Sequence, residues 1–152
     1  MKFVVDTNIV FSAILNPKST IGQIILNGSR HFSFLSVTQL KNEIEAHEDK
    51  ILKISGLEQT DYHRIYELIG SRIRFVNHLL INSHNYQKAD QLTGDIDPDD
   101  LLFVGLCLQY RCKLWSGDKQ LIYGLKKKGF KNIITTDELF QIYLNKEFKR
   151  KP

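Results

Sequence analysis

Two cysteines in 152 residues leave little material for a disulfide scaffold or a zinc centre. Cys107 and Cys112 lie five apart in an apolar segment, with no second cysteine pair and no histidine spacing that would close a metal tetrahedron, so both are expected to be reduced core residues. Long hydrophobic runs are equally scarce. No apolar stretch approaches the roughly 20 residues that cross a bilayer, and the amino terminus has an acid at position 6 and no cleavable signal pattern. The expected location is the cytoplasm, away from any membrane. Internal repeats, low-complexity tracts and linkers are also absent. What is present, 42% hydrophobic and 11% aromatic residues, suffices for one continuous core. The expected organisation is a single domain over residues 1–145 with a basic tail at 146–152.

Charge is unevenly spread. The formal balance is +4. Lys126, Lys127, Lys128 and Lys131 cluster late in the chain and Lys146, Lys149, Arg150 and Lys151 follow, while Asp95, Asp97, Asp99 and Asp100 crowd one short stretch. A basic body with one acidic focus attracts polyanions and offers a place for cations.

The segment FVVDTN opens the pattern. Phe3, Val4 and Val5 form an unbroken apolar run of the kind buried on both faces of a parallel sheet, and Asp6 ends it. Helices are expected over 9–15, stopped before Pro17, and over 20–27. A strand is expected over 31–35. Ser36 with Gln39 reads as a capping box for one long helix to about Ser55, with Gly56 as its stop. Further helices are expected over 60–71, 83–92, from Pro98 through Leu108, 118–127 and 137–144, and strands over 73–76, 113–115 and 132–134. Such alternation predicts an α/β fold: a central, mostly parallel twisted sheet covered on both sides in a three-layer α/β/α sandwich. Functional groups in such sheets gather at the carboxyl ends of the strands.

Two strands end in acids, FVVD at Asp6 and LWSGD at Asp118. Either acid alone is explained as a helix cap; two at one sheet edge are less easily explained so. In DPDD, capping accounts for Asp97, where negative charge at a helix start is favoured. It does not require Asp100, which directly precedes the buried-looking run LLFVGLCL. D-x-x-D therefore offers two candidates for a third acid. Along the long helix, Glu43 and Glu48 both lie near the stripe of Val37, Leu40, Ile44 and Ile51, so periodicity does not choose between them. Depth favours Glu43, roughly 9 Å from the helix start against roughly 16 Å for Glu48.

Carboxylates that converge without a basic partner repel one another unless a cation joins them or protons are retained. Oxygen-only ligation suits Mg²⁺ or Mn²⁺, and the chemistry implied is phosphodiester hydrolysis.

The order FVVDTN, LKNEI, DPDDLLFVGL, LWSGDK resembles the PIN domain family over essentially the whole chain, from Lys2 to about Phe140. The resemblance implies metal-dependent RNA cleavage and a toxin role beside a cognate antitoxin protein. It also implies a homodimer. Carried over by position, Asp6, Glu43, Asp100 and Asp118 form the acidic, metal-binding and catalytic site, with Asn8 and Ser116 as supporting polar residues that fix carboxylate orientation. Lys119 matches a position beside the last acid. Gly105 stands where alanine is more usual, a change expected to affect packing alone. Two other readings compete with a ribonuclease. One is a nucleic-acid or protein binding module whose site does not turn over. The other is a phosphatase with a strand-end Asp nucleophile, but the second acid of D-x-D is replaced by Asn8, so its general acid is missing.

Overall fold

The computed structural model describes residues 1–150. Its five strands are β1 (Lys2–Val5), β2 (Ser33–Val37), β3 (Ile73–Val76), β4 (Lys113–Trp115) and β5 (Ile133–Ile134). They form one sheet in the order β3-β2-β1-β4-β5, with every neighbouring pair parallel. Helices α1 (Thr7–Leu15), α2 (Thr20–Gly28), α3 (Thr38–Ala46), α4 (Glu48–Ser55) and α5 (Gln59–Gly70) lie between the first three strands. Helices α6 (Ser83–Thr93) and α7 (Leu101–Tyr110) link β3 to β4, α8 (Lys119–Lys127) links β4 to β5, and α9 (Thr136–Arg150) closes the described chain.

The sheet is apolar on both sides because its strands are. Phe3, Val5, Phe34 and Trp115 project to one face by their pairing register. There Phe3 meets Phe32 edge-on at 5.4 Å and Phe34 lies 5.8 Å from Trp115. The Trp115 indole donates to Thr136 Oγ1 at 3.0 Å, tying the start of α9 to this layer. Helices α1, α2, α5 and α9 pack together on this side. On the other face α7 crosses β1, β2 and β4 and is backed by α6. Val4, Leu114, Val104 and Leu106 are completely buried between these layers. This is the expected three-layer arrangement.

Several local expectations change. Ser36 is not a helix cap: it lies in β2, fully buried, and its hydroxyl donates to the Val5 carbonyl at 3.0 Å. Helix α3 starts after Val37 with no side-chain cap. The long helix is two, separated at His47, whose backbone has left the helical range and whose ring Nδ1 lies 2.8 Å from the Glu43 carbonyl. A side chain that satisfies the last carbonyls of α3 removes their need for a further turn. Gly56 does stop α4, at φ 69°. The helix expected from Pro98 begins at Leu101, after a single 3₁₀ turn over Pro98–Asp100. Strand β2 begins two residues later than expected, because the His31 and Phe32 N–H groups donate to the Gly28 carbonyl at the end of α2; the His31 ring meets Glu147 of α9 at 3.0 Å. That contact also holds the late part of α9, so the segment set apart as a basic tail is helix through Arg150; Lys151 and Pro152 lie outside the described residues.

The strand order reverses between β1 and β4, so the carboxyl ends of these two strands flank the crevice at which such sheets bind ligands. The sheet is also polarised in charge. Lys2, Arg72, Lys113 and Lys131 lie at or just before the starts of four strands, whereas Asp6 and Asp118 follow the ends of β1 and β4. No single helix among the described residues is long and apolar enough to cross a membrane.

Candidate active site

Strand β1 delivers Asp6 to the crevice. Its residue Val5 is paired with Trp115, so Asp6 and Ser116 leave the sheet side by side. Asp6 is 4% exposed and caps α1, its Oδ1 accepting from Ile9 N at 3.0 Å. Burial pushes its pKa up; the Ser116 hydroxyl and the Ile9 and Asn8 backbone groups pull it down, and the charge of Asp118 raises it again. Ser116 is itself fully buried, and its Oγ accepts the Asp118 N–H at 3.1 Å. It thus braces both strand-end acids. Asn8 differs: its side chain is exposed in the first turn of α1, and only its backbone bears on Asp6.

Asp118 caps α8, with Oδ1 accepting from Gln120 N at 3.0 Å and Leu121 N at 3.1 Å. Asp97 caps the 3₁₀ turn, accepting from Asp99 N at 3.0 Å. Asp100 has no capping bond. One carboxylate oxygen from each of Asp97, Asp100 and Asp118 lies within 4.8 Å of the others, and all three residues are half-buried. No ion pair among the described residues involves these acids. The consequence falls on Asp100: burial, then the charges of Asp97, Asp6, Asp118 and Asp99, push its pKa up to about 7. Capping and clustering are therefore not alternatives here, since Asp97 and Asp118 do both.

The remaining acids divide by what they face. Asp95 is taken by Lys128. Glu48 pairs with His63 at 2.8 Å, and Glu45 accepts from the Tyr66 hydroxyl at 3.1 Å, so both serve α5. Glu43 instead faces the turn after β1, with the Thr7 hydroxyl 3.5 Å from its Oε2. It also lines a cleft of about 150 Å³ between α3 and the Pro98–Asp99 turn. Glu43 thus lies across that cleft from the Pro98–Asp99 turn and does not join the three close carboxylates. Thr7 was not singled out by sequence; its place between Asp6 and Asn8 in DTN was the available signal. Lys119 is exposed in the first turn of α8.

The donor set is all oxygen, anionic and short of cations, which fits a hard divalent metal such as Mg²⁺ or Mn²⁺ and does not fit a zinc centre.

No match was found among curated proteins. The fold is similar to a chain in the crystal structure of VapBC2 from Rickettsia felis bound to a DNA fragment from their promoter. The TM-score is 0.64 at 15% identity, covering 89% of this chain and 97% of that one. A PIN domain family profile matches residues 4–141, a span that contains Asp6, Glu43, Asp97, Asp100 and Asp118, and the chain belongs to the PIN domain family.

Proposed function

We propose that the protein is a divalent-metal-dependent endoribonuclease that hydrolyses RNA phosphodiester bonds. The observation that carries this reading is the meeting of Asp97, Asp100 and Asp118 at the point where the strand order reverses, with Asp6 beside them. Asp97, Asp100 and Asp118 would hold Mg²⁺ or Mn²⁺, which when bound supplies Lewis-acid stabilisation of the phosphoryl oxygens and lowers the pKa of water. Asp6, fixed by Ile9 N and the Ser116 hydroxyl, completes the negative lining and keeps its orientation as the site fills. Glu43, across a cleft from the Pro98–Asp99 turn, would accept a proton or orient the attacking water. Asp100, with its pKa pushed up to about 7, would bind such an ion in competition with a proton.

Incubation of purified protein with single-stranded and structured RNA, with and without Mg²⁺ and with Asp6→Asn, tests the reading. Cleavage is expected to require both the metal and Asp6. Cleavage that survives both EDTA and the substitution overturns it.

The same proposal includes a cytoplasmic location, an antitoxin protein as partner and a homodimer. Leu79 and Leu80, 77% and 62% exposed after β3, are apolar surface on offer to another chain. Because the similar VapBC2 structure is bound to promoter DNA, DNA is the second nucleic acid to test.

A further inference from the structure

The sheet edge opposite the acidic crevice carries a cavity of about 510 Å³. Its walls come from the starts of β1, β2 and β3 and from the ends of α2 and α5. The register explains why cations meet there. Lys2 is paired with Ser33, and Leu35 with Arg74. Paired residues in parallel strands share a face, as do residues two apart along one strand, so Lys2, Ser33 and Arg74 project to the same side. Arg72 immediately precedes β3 beside them. Lys2, Arg72 and Arg74 are exposed, none takes part in an ion pair among the described residues, and no acid lines the cavity. The carboxyl end of α5 at Ser71 accounts for one nearby cation through the helix dipole. It does not account for three drawn from two strands. Lys2 is further held over the Tyr110 ring at 6.0 Å.

We infer that this groove is a phosphate-backbone subsite for nucleic acid, in which Lys2, Arg72 and Arg74 neutralise phosphates of an RNA without reading its sequence. The ligand class follows from the groove's chemistry, and its identity as RNA rests on the nuclease reading. The groove and the acidic crevice stand at opposite ends of the buried strand β1, so an RNA reaching from one to the other passes over the surface by a path longer than the strand's own length of about 13 Å.

Fluorescence anisotropy in EDTA, with a labelled single-stranded RNA long enough to reach both edges, compares the native chain with Lys2→Gln/Arg72→Gln/Arg74→Gln over a salt series. Thermal melting checks that the variant is folded. The variant is expected to bind about tenfold or more weakly at low salt. Its log-log salt slope should be shallower by about 2, three contacts at about 0.7 each. Unchanged affinity and slope overturn the proposal. Should the triple variant not fold, the three single substitutions are read instead, each expected to flatten the slope by about 0.7. Displacement of the RNA by polyglutamate as effectively as by unlabelled RNA assigns the groove to an acidic protein and also overturns it. Because no metal is present, failures separate: binding through the groove without cleavage in Mg²⁺ sinks the nuclease reading alone, and cleavage with variant binding unchanged sinks the groove alone.

Discussion

Val5 and Trp115 are register partners in adjacent parallel strands, and the residues after them, Asp6 and Ser116, consequently leave the sheet together at the acidic crevice. Ser116 is buried between two acids, lowering the pKa of Asp6 and accepting the Asp118 N–H. Ser116→Ala is expected to leave that N–H without a partner at a cost of about 1–3 kcal/mol, and to let the Asp6 pKa rise further. Melting and the pH dependence of RNA cleavage are the measurements. The melting temperature should fall, and the acidic limb of the rate profile should move to higher pH. A limb that stays in place would show that Ser116 does not tune Asp6.

Asp118 carries two duties that substitution separates. Asparagine accepts the same N–H bonds at a helix start, whereas alanine does not. Without metal, Asp118→Asn should therefore melt at or above the native chain, since it keeps the cap and removes a charge that repels Asp100 and Asp6, and Asp118→Ala should melt below Asp118→Asn by about 1 kcal/mol, or about 2–4 °C at this chain length. Both should lose metal-dependent cleavage. Equal melting of the two variants would mean that the cap contributes nothing measurable.

The Asp100 carboxyl, ordinarily near 3.8, is pushed up to about 7 by burial and its acidic neighbours. Between those values the folded chain holds a proton that the unfolded chain has released, so the contribution of Asp100 to the stability of the metal-free protein is fully present below about pH 4 and is lost as pH rises through about 4 to 7. Asp100→Asn should remove this loss and raise the metal-free melting temperature near pH 8. Mg²⁺ should stabilise the native chain more at pH 8 than at pH 5, where protons compete for the same oxygens. Calorimetric scans in EDTA and in Mg²⁺ check both; a variant that melts lower than the native chain at pH 8 without metal would contradict a crowded acidic cluster.

Gly22 sits where the chain turns from α1 into α2. A Cβ there would lie 2.2 Å from the Pro17 carbonyl oxygen, an overlap with backbone rather than with a yielding side chain. Gly22→Ala should cost more than about 2 kcal/mol despite the better helix propensity of alanine. Urea denaturation measures it, and a stability gain would show that the turn can open.

What could be read in advance depended on the range of the forces involved. β3 and β4 are legible to the residue because each is a short β-branched or aromatic stretch whose cations, Arg74 and Lys113, stay exposed while Ile73, Val76, Leu114 and Trp115 are buried. Caps at Asp6, Asp97 and Asp118 were legible because they are local. Ser36 misled for the same reason: its spacing to Gln39 matched a cap, but a tertiary partner, the Val5 carbonyl, took its hydroxyl. The break at His47 had no glycine or proline to signal it. Which of the acids meet depended on the crossing between β1 and β4, and the closeness of Asp97 to both Asp100 and Asp118 is a fact of tertiary folding that spacing alone left open.

Asp97 and Glu43 now make opposite predictions. Asp97 contributes an oxygen to the group lying within 4.8 Å, whereas Glu43 faces Thr7 and lines the neighbouring cleft. Asparagine preserves the bond that Asp97 makes to Asp99 N, so Asp97→Asn should fold normally and weaken Mn²⁺ binding by about tenfold or more, the range seen when a metal's supporting groups are removed. Glu43→Gln should leave Mn²⁺ affinity within about threefold, an effect under 1 kcal/mol, and lower the cleavage rate at saturating metal. Calorimetric titration of Mn²⁺ together with single-turnover cleavage distinguishes the two residues. If Glu43→Gln costs as much Mn²⁺ affinity as Asp97→Asn, then Glu43 swings into the cluster when the ion binds, and the assignment of Asp97 as the nearer ligand fails.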